Sequence, residues 1–355
     1  MRINVLTPGF TTSNGSALLF PLVVFKKAIQ KAGMEIRFVK RSDKKISDCD
    51  VLAIDSKEFM TLPVQTPDLI DSYRNSNNKI IWFDTTDSTG TLQSDILPIV
   101  DSYAKSQLLK NKNRYTERIY GGRVHSQYYK DTAGVIDQNN ESTAINKPVQ
   151  LKYLSKLKIS WNSGLADYST YGPLITRIYK SVQWSKLLRY RPEPNLSNAK
   201  RDNDLSARFG INYDRATVRY QREQIRKLLT SRMDTSKVNR KTYFEELKRS
   251  KVILSPFGWG EITLKDFEVF ATGGMLLKPS MEHMETWPNF YEDGITYRSH
   301  NWNMDNLEKE IERSLANEQS RHSIAKEGHR RYLQHTSDSG ASEIFVKHLT
   351  SVLST

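Results

Sequence analysis

The stretch over residues 255–278 constrains the fold most, because it carries strand, turn and helix signals in a fixed order. The apolar run KVILSPFG predicts a strand that ends in a Pro/Gly turn. Residues 263–271 predict a short helix, which Gly273 and Gly274 end because glycine tolerates unusual dihedral angles. A second apolar run starts at Met275. Strand, helix and strand in this order are typical of a parallel α/β unit.

The same unit places polar side chains where α/β proteins bind ligands. Loops at the carboxyl ends of parallel strands form binding sites, and helix N-termini attract phosphate. Glu261, Lys265, Asp266 and Glu268 lie in or just after such a loop. A helical carboxylate suits the hydroxyls of a ribose, and a lysine one turn earlier suits a diphosphate. The sequence therefore predicts a nucleotide site here.

This segment resembles the nucleotide-sugar loop of GT-B glycosyltransferases, especially the spore-protein and exostosin-like branches. The shared features are a strand ending in Ser-Pro, a glycine-rich loop, a basic residue, a helical glutamate and an Ala-x-Gly-Gly ending. They fall at Ser255, Pro256, Gly258, Gly260, Lys265, Glu268, Ala271, Gly273 and Gly274. The resemblance covers residues 241–335. It implies an α/β chain of two Rossmann-like domains that face each other across a cleft.

The resemblance also implies roles for single residues. Glu268 would hold the donor ribose, and Gly258, Gly260 and Thr263 would belong to the donor loop. Retaining members of the group often carry two glutamates eight positions apart. The nearest candidate here is Glu261, which lies seven positions before Glu268. Its carboxylate either contacts the sugar hydroxyls or caps the helix.

Three arginines near the start of a predicted helix are candidate diphosphate ligands: Arg215, Arg219 and Arg222. Arg215 and Arg219 lie one helical turn apart and share a face. Guanidinium groups grip diphosphate oxygens and offset leaving-group charge without a metal. We therefore predict that they bind the donor together with Lys265. The alternative is a solvated basic helix face paired with Asp214 and Glu223.

Three residues are candidate catalytic groups. Asp84 and Asp87 follow an apolar strand, and a strand-end carboxylate that faces a cleft suits a general base for an acceptor hydroxyl. The alternative is that they form a turn, which aspartate favours. His125 is a rival base because the ordinary pKa of histidine lies near neutrality. No convincing metal-binding cluster is present in the sequence, which predicts metal-independent transfer without a cofactor.

The predicted domains follow the alternation of strands and helices. Residues 1–150 predict an acceptor-side Rossmann-like domain, and residues 151–195 an interdomain segment. Residues 196–340 predict the nucleotide-sugar-binding domain, and residues 341–355 a C-terminal helix. The weakly patterned residues 130–150 predict a loop near the boundary, and a basic helix is expected to end near Lys112.

The composition of the chain indicates its cellular compartment and the class of its partners. The chain has 355 residues, a net charge of +13 and one cysteine, Cys49. A single cysteine excludes an internal disulfide and suits a reducing compartment. The sequence shows neither a signal peptide nor a run long enough to span a bilayer. We therefore expect a cytoplasmic protein, with peripheral contact to an anionic membrane. The cations are spread along the chain, which disfavours a dedicated nucleic-acid surface.

The sequence thus predicts a glycosyltransferase of cell-surface polysaccharide or glycoconjugate synthesis. It would transfer a sugar from a nucleoside-diphosphate donor to a glycan, a glycolipid or another hydroxyl acceptor. One alternative is a sugar-nucleotide epimerase or hydrolase of the same fold. The other is a basic protein that binds or modifies nucleic acid.

Overall fold

The chain folds around two parallel β-sheets. A computed structural model describes residues 1–59, 66–75, 78–138, 147–169, 172–191 and 200–354. The predicted loop over residues 130–150 and the predicted boundary at 195/196 therefore lie partly outside the described residues.

The first sheet has six parallel strands in the order β2-β1-β3-β4-β5-β7. Its strands are β1 (Arg2–Leu6), β2 (Glu35–Val39), β3 (Val51–Asp55), β4 (Lys79–Asp84), β5 (Ser102–Lys105) and β7 (Leu157–Ile159). The helices of this half are α1 (Ser13–Val24), α2 (Lys26–Lys31), α3 (Thr66–Ser72), α4 (Val124–Ala133) and α5 (Gly172–Val182). Strands such as β3 are fully buried, as expected for a parallel sheet covered on both faces.

The second sheet has four parallel strands in the order β12-β10-β9-β8. They are β8 (Asn203–Ser206), β9 (Ser250–Leu254), β10 (Met275–Pro279) and β12 (Arg298–His300). The helices are α6 (Ala216–Leu229), α7 (Arg240–Arg249), α8 (Leu264–Thr272), α9 (Leu307–Ala316), α10 (Glu318–Thr336) and α11 (Ala341–Leu353). The predicted strand–helix–strand unit is therefore present as β9, α8 and β10. Two parallel α/β sheets confirm the predicted fold class.

A two-stranded antiparallel ribbon joins the two halves. Strand β6 (Gln107–Leu109) follows the first sheet, and it pairs with β11 (Met284–Thr286), which follows β10. The predicted basic helix ending near Lys112 is wrong: β6 is followed only by a short 3-10 turn over Lys112–Thr116. The apolar side chains of β6 are buried in this contact, and that long-range pairing overrides the local helical signal.

Two elements that lie after residue 150 belong to the first sheet or pack against it. Strand β7 pairs with β5, so the first sheet extends past residue 150. The partner of Leu157 in β5 is Tyr103, 54 positions earlier in the chain, so a local sequence pattern does not show which sheet this short strand joins. Helix α11 also belongs to this half, since Phe345 and Leu349 pack in one apolar cluster with Ile3 and Val5 of β1.

Candidate functional site

A cationic cavity of about 680 Å³ opens on the second sheet, near the carboxyl end of β9. Its wall combines residues after β8, the start of α8 and the facing side of α6. Five of its lining side chains are cations, and none is a carboxylate: Arg208, Arg222, Arg226, Lys237 and Lys265. Tyr213, Tyr243 and Trp259 add aromatic surface. A positive cavity with aromatic walls suits a ligand that combines phosphates with a flat ring.

The loop between β9 and α8 is fixed by a buried polar network. Thr263 and Asp266 form a capping box at the start of α8, and Ser255 Oγ donates to Asp266 Oδ1 at 2.6 Å. The Lys278 ammonium lies 3.2 Å from the same carboxylate, and both side chains are fully buried. Asp266 and Thr263 therefore hold the loop in shape, and Thr263 also lines the cavity.

Lys265 reaches the cavity from the first turn of α8. Its ammonium donates to the backbone oxygens of Arg208, at 2.6 Å, and Leu254, at 3.2 Å. Burial lowers the pKa of Lys265 to about 7, because the charged form loses hydration. An anion placed beside the ammonium would restore the charge. Lys265 thus lines the cavity, and its role in donor binding stays a prediction.

Of the three candidate arginines, Arg222 lines this cavity, whereas Arg215 and Arg219 do not. The Arg222 guanidinium donates to the oxygens of Phe257 and Gly210 and lies 4.8 Å from the centre of the Tyr213 ring. Arg215 lies directly before α6, and its guanidinium donates to Gly121 O at 3.0 Å. Arg219 pairs with Glu223 at 3.4 Å. The sequence offered three arginines on one helix, and only the fold shows which of them faces the cavity.

Glu268 lies beside the cavity wall, almost fully buried. Its carboxylate accepts from Tyr243 Oη at 2.8 Å and from Arg240 at 3.3 Å. Burial raises the pKa of Glu268, and these two donors counteract that effect. Tyr243 is itself part of the cavity wall, so it connects the glutamate to the cavity. Glu268 does not line the cavity itself, and its role in holding the ribose stays a prediction.

A second polar centre lies where the two halves meet. Glu261 is fully buried, and its Oε2 accepts from both the backbone N–H and the hydroxyl of Thr89, each at 3.0 Å. Its other oxygen lies 3.8 Å from His125 Nδ1 and 3.6 Å from His283 Nε2. These separations are too long for direct hydrogen bonds. Glu261 therefore brings together loops from both halves.

The imidazoles around Glu261 are unusual because they are buried without partners. Among the described residues, neither ring nitrogen of His125 or His283 has a hydrogen-bond partner, and Glu261 Oε1 has none. Buried polar atoms are normally paired, so five unpaired atoms around one point indicate a place for a ligand's polar groups. Burial lowers the pKa of His125, which keeps its imidazole neutral near pH 7. Burial opposes the charge on Glu261, but the two histidines keep its pKa well below the ordinary value.

The two aspartates after β4 have different surroundings. Asp84 is fully buried, and Tyr103 Oη and Lys105 Nζ donate to it at 2.7 and 2.8 Å. Asp87 is exposed, and its carboxylate accepts from Asn14 of the first loop. Both border a small cleft between the halves. Asp84 is thus held by its partners, whereas Asp87 can meet a ligand.

The glycine loop touches the first half directly. A Cβ at Gly260 would collide with the backbone carbonyl of Asp87, so only glycine allows this approach. At Gly258 a Cβ would meet only ordinary contacts with Tyr213 and Arg222. Gly260 therefore sets how closely Asp87 and Glu261 can come together.

One family model matches the part of the chain that carries this site. Residues 197–345 match the family model described as glycosyl transferase-like. This part of the chain is therefore similar to the domain that the model describes. The matched range includes the whole cationic cavity, Glu261 and His283. No curated protein matches this sequence significantly.

Several solved structures are similar to this chain at very low identity, with TM-scores below 0.5. An alpha-glucosyltransferase solved with UDP and a 13-mer DNA containing an HMU base is 10% identical, with a TM-score of 0.47 over 100% of both chains. HepE from Anabaena, solved with UDP and glucose, is 7% identical, with a TM-score of 0.46 over 100% of both chains. TarM is 8% identical, with a TM-score of 0.43 over 88% of this chain and 56% of its own.

Sequence reasoning missed several residues of the glycosyl transferase-like domain. His283 follows β10 in a turn, and Arg208 and Lys237 come from loops that border the cavity. Lone histidines and loop cations give no periodic signal. His283 stands directly before β11, and this position alone does not identify it as a site residue. Across the described residues, no group of three His, Cys, Asp or Glu side chains could hold a metal ion. No helix in the described part of the chain is long and apolar enough to cross a membrane.

Proposed function

We propose that this protein transfers a sugar from a nucleoside-diphosphate donor to a hydroxyl acceptor. The observation that carries the proposal is the cavity with five cations and no carboxylate, within a glycosyl transferase-like domain. Such a cavity neutralises a diphosphate both in the bound donor and as the departing group. The motif from Ser255 to Gly274 supports a place beside the spore-protein and exostosin-like glycosyltransferases.

The donor is proposed to lie along the cavity, with its diphosphate between Arg222 and Lys265. Both cations point into the same cavity from α6 and α8. The ribose would lie toward Tyr243 and Glu268. Arg215 and Arg219, which do not line the cavity, would act only at its rim. Bound nucleotide would therefore depend strongly on Lys265 and Arg222 and weakly on Arg219.

The transferred sugar is proposed to meet Glu261, His125 and His283. These side chains offer one charged acceptor and ring nitrogens that lack hydrogen-bond partners, which matches the hydroxyls of a sugar. Asp87 lies across Gly260 from this centre and has an exposed carboxylate. It is proposed as the base that takes the proton from the acceptor hydroxyl. Asp84 is proposed as its structural support, since its oxygens already hold Tyr103 and Lys105.

The acceptor is proposed to be a glycan or a glycolipid of cell-surface polysaccharide synthesis, and it would approach from the first half of the molecule. The enzyme would work in the cytoplasm, at an anionic membrane surface, without a metal or other cofactor.

The test is thermal stabilisation by a panel of nucleoside diphosphates and nucleotide sugars, with and without EDTA. A ligand at 100 times its dissociation constant stabilises a protein by about 2.7 kcal/mol, which shifts the melting temperature measurably. We expect one nucleotide class to stabilise the wild type equally in both conditions. Loss of the shift with EDTA would contradict metal independence, and no shift with any nucleotide would contradict the donor site.

A matched pair of variants locates the donor. Glu268→Gln removes the charged acceptor beside the cavity, and a hydrogen bond to a charged group contributes about 1.5–3 kcal/mol. We expect its nucleotide affinity to fall at least tenfold. Glu245→Gln on α7 is exposed and serves as the control with unchanged affinity. Sugar release from the stabilising donor without any acceptor would instead identify a hydrolase.

A further inference from the structure

Helix α5 has one face buried against the first half and another that faces solvent. Tyr179 is buried in an apolar cluster with Phe20 and Leu188, and its ring lies 4.9 Å from that of Phe10. This contact fixes the orientation of the helix, so the opposite face is held outward by the fold.

The outward face carries a row of large apolar side chains. Three of them lie four residues apart, which aligns them along the helix: Leu174, Ile178 and Val182. Trp184 lies two residues after Val182 and is also exposed. Their exposed fractions are 52%, 41%, 57% and 56%. Four of the eleven exposed large apolar residues among the described residues thus fall within eleven consecutive positions. Such a concentration marks an interaction surface rather than scattered surface residues.

The same segment is strongly basic. Residues 172–191 contain five cations and no aspartate or glutamate. Four of these cations are exposed and flank the apolar row: Arg177, Lys180, Lys186 and Arg189. We call the apolar row and these four cations the docking face.

We propose that the docking face binds the surface of an anionic lipid bilayer. An amphipathic helix of this kind lies in the interface, with aliphatic side chains at the acyl boundary and cations among the headgroups. A tryptophan beside the helix suits the same depth. Each cation near an anionic surface adds to the attraction, and no acid in the segment opposes it. A nucleic acid would pair with the cations but would leave the four apolar side chains without a partner.

This surface lies next to the cleft described above. Phe10, which contacts Tyr179, belongs to the loop that precedes α1. Asn14 of the same stretch donates to Asp87. A bilayer on the docking face would therefore present its headgroups near Asp87. That consequence rests on the proposed transferase activity and indicates a membrane-attached acceptor, whereas the membrane contact itself does not depend on it.

The experiment is vesicle flotation with the full chain. Vesicles contain phosphatidylcholine alone or phosphatidylcholine with phosphatidylglycerol. One variant, Ile178→Ser with Trp184→Ser, removes apolar contacts, and another, Arg177→Gln with Lys180→Gln, removes charge. The control variant, Ile295→Ser with Lys309→Gln, changes an exposed apolar residue and an exposed cation elsewhere. Nucleotide-induced thermal stabilisation is measured on every variant to show that the donor site is intact.

We expect the wild type and the control to bind anionic vesicles and to ignore neutral ones. Loss of two cations should weaken binding by about 30-fold, and loss of the apolar pair should weaken it at unchanged charge. Equal binding by all four proteins, or no vesicle binding by the wild type, would overturn the proposal. Binding of duplex DNA that is lost with the charge variant, without any vesicle binding, would assign the face to nucleic acid instead. A failed nucleotide shift with intact vesicle binding would count against the transferase alone.

Discussion

At the scale of single residues, burial decides what each ionisable group can do. Lys265 and Glu261 are both enclosed, but their partners differ. Lys265 has only backbone oxygens within hydrogen-bond distance, so its charge is costly. Glu261 is supported by Thr89 and by two histidines, so its charge is maintained. The same loop therefore presents two different groups. We expect the protonation of Lys265 to depend on a bound ligand, whereas Glu261 is ionised without one.

Lys265 should take up a proton when a nucleoside diphosphate binds. Its pKa of about 7 in the free protein leaves it mostly neutral at pH 8, and a bound diphosphate raises that pKa. Binding at pH 8 should therefore consume up to about one proton, whereas at pH 6 the residue is already charged. Calorimetry in two buffers of different ionisation enthalpy measures the uptake.

The matched variant for this measurement is Lys265→Arg, which stays charged throughout. Its proton uptake at pH 8 should disappear. Lys309→Arg on α9 is exposed and should behave as the wild type. Equal uptake in all three proteins would show that another group titrates.

Asp87 should be required for turnover but not for donor binding. Asp87→Asn keeps the size of the side chain and removes the base, which typically costs 10²–10⁴-fold in rate. We expect kcat to fall in that range while the nucleotide-induced shift in melting temperature stays constant. A variant with normal kcat would return the role of base to His125.

At the scale of elements, each sheet holds a buried lysine against a carboxylate. Lys105 of β5 pairs with Asp84 of β4, and Lys278 of β10 pairs with Asp266 of α8. All four side chains are fully buried. In both sheets the pair lies directly behind a loop of the site. These pairs therefore hold the loops that present Asp87 and Lys265.

Lys105→Met should destabilise the first half strongly. Removing one member of a buried ion pair leaves the other charge uncompensated, which costs about 3–5 kcal/mol. The double variant Lys105→Met with Asp84→Asn removes both charges and should recover part of that loss. Urea denaturation at pH 7 measures the free energies of unfolding.

The pH dependence of this variant follows from Asp84. Burial opposes its charge, but Lys105 outweighs that effect and lowers the pKa of Asp84 below its ordinary value. The pair therefore stabilises the fold above about pH 4, and the stabilisation is lost as the pH falls through the folded-state pKa. The difference between wild type and Lys105→Met should shrink in acid. A constant difference from pH 7 to pH 3 would contradict the assignment.

How far the sequence predicts these elements depends on how local their causes are. The unit β9–α8–β10 was predicted because its glycines, capping residues and apolar runs all lie between Ser250 and Pro279. Strand β6 was missed because its partner, β11, is 175 positions away along the chain. The choice of Arg222 over Arg215 depends on the angle at which α6 packs. His283 reaches Glu261 only through the register of the second sheet.

At the scale of the whole molecule, the cationic cavity is open, whereas the polar centre around Glu261 is closed. The cationic cavity faces solvent, while Glu261, His125 and Thr89 are almost completely buried between the halves. In the proposed reaction, a sugar would reach Glu261 only when the loops carrying Thr89 and Gly260 separate. We therefore expect the halves to open and close in each catalytic cycle.

We expect the rate of turnover to follow solvent viscosity. If opening of the halves limits release of the product, added sucrose should lower kcat in inverse proportion to the solvent viscosity. Asp87→Asn, in which chemistry is slow, should lose this dependence and provides the control. A wild-type kcat that does not change with viscosity would place the limiting step in the chemistry.

The packing of α11 on β1 has a consequence for how the protein is made. Ile3 and Val5 of β1 are synthesised before Phe345 and Leu349 of α11, which share their apolar cluster. Domains usually fold in the order in which they emerge. Here β1 must wait, with part of its apolar surface uncovered, until α11 has been made. The uncovered face of the first sheet therefore needs protection from aggregation while the residues between β1 and α11 are translated.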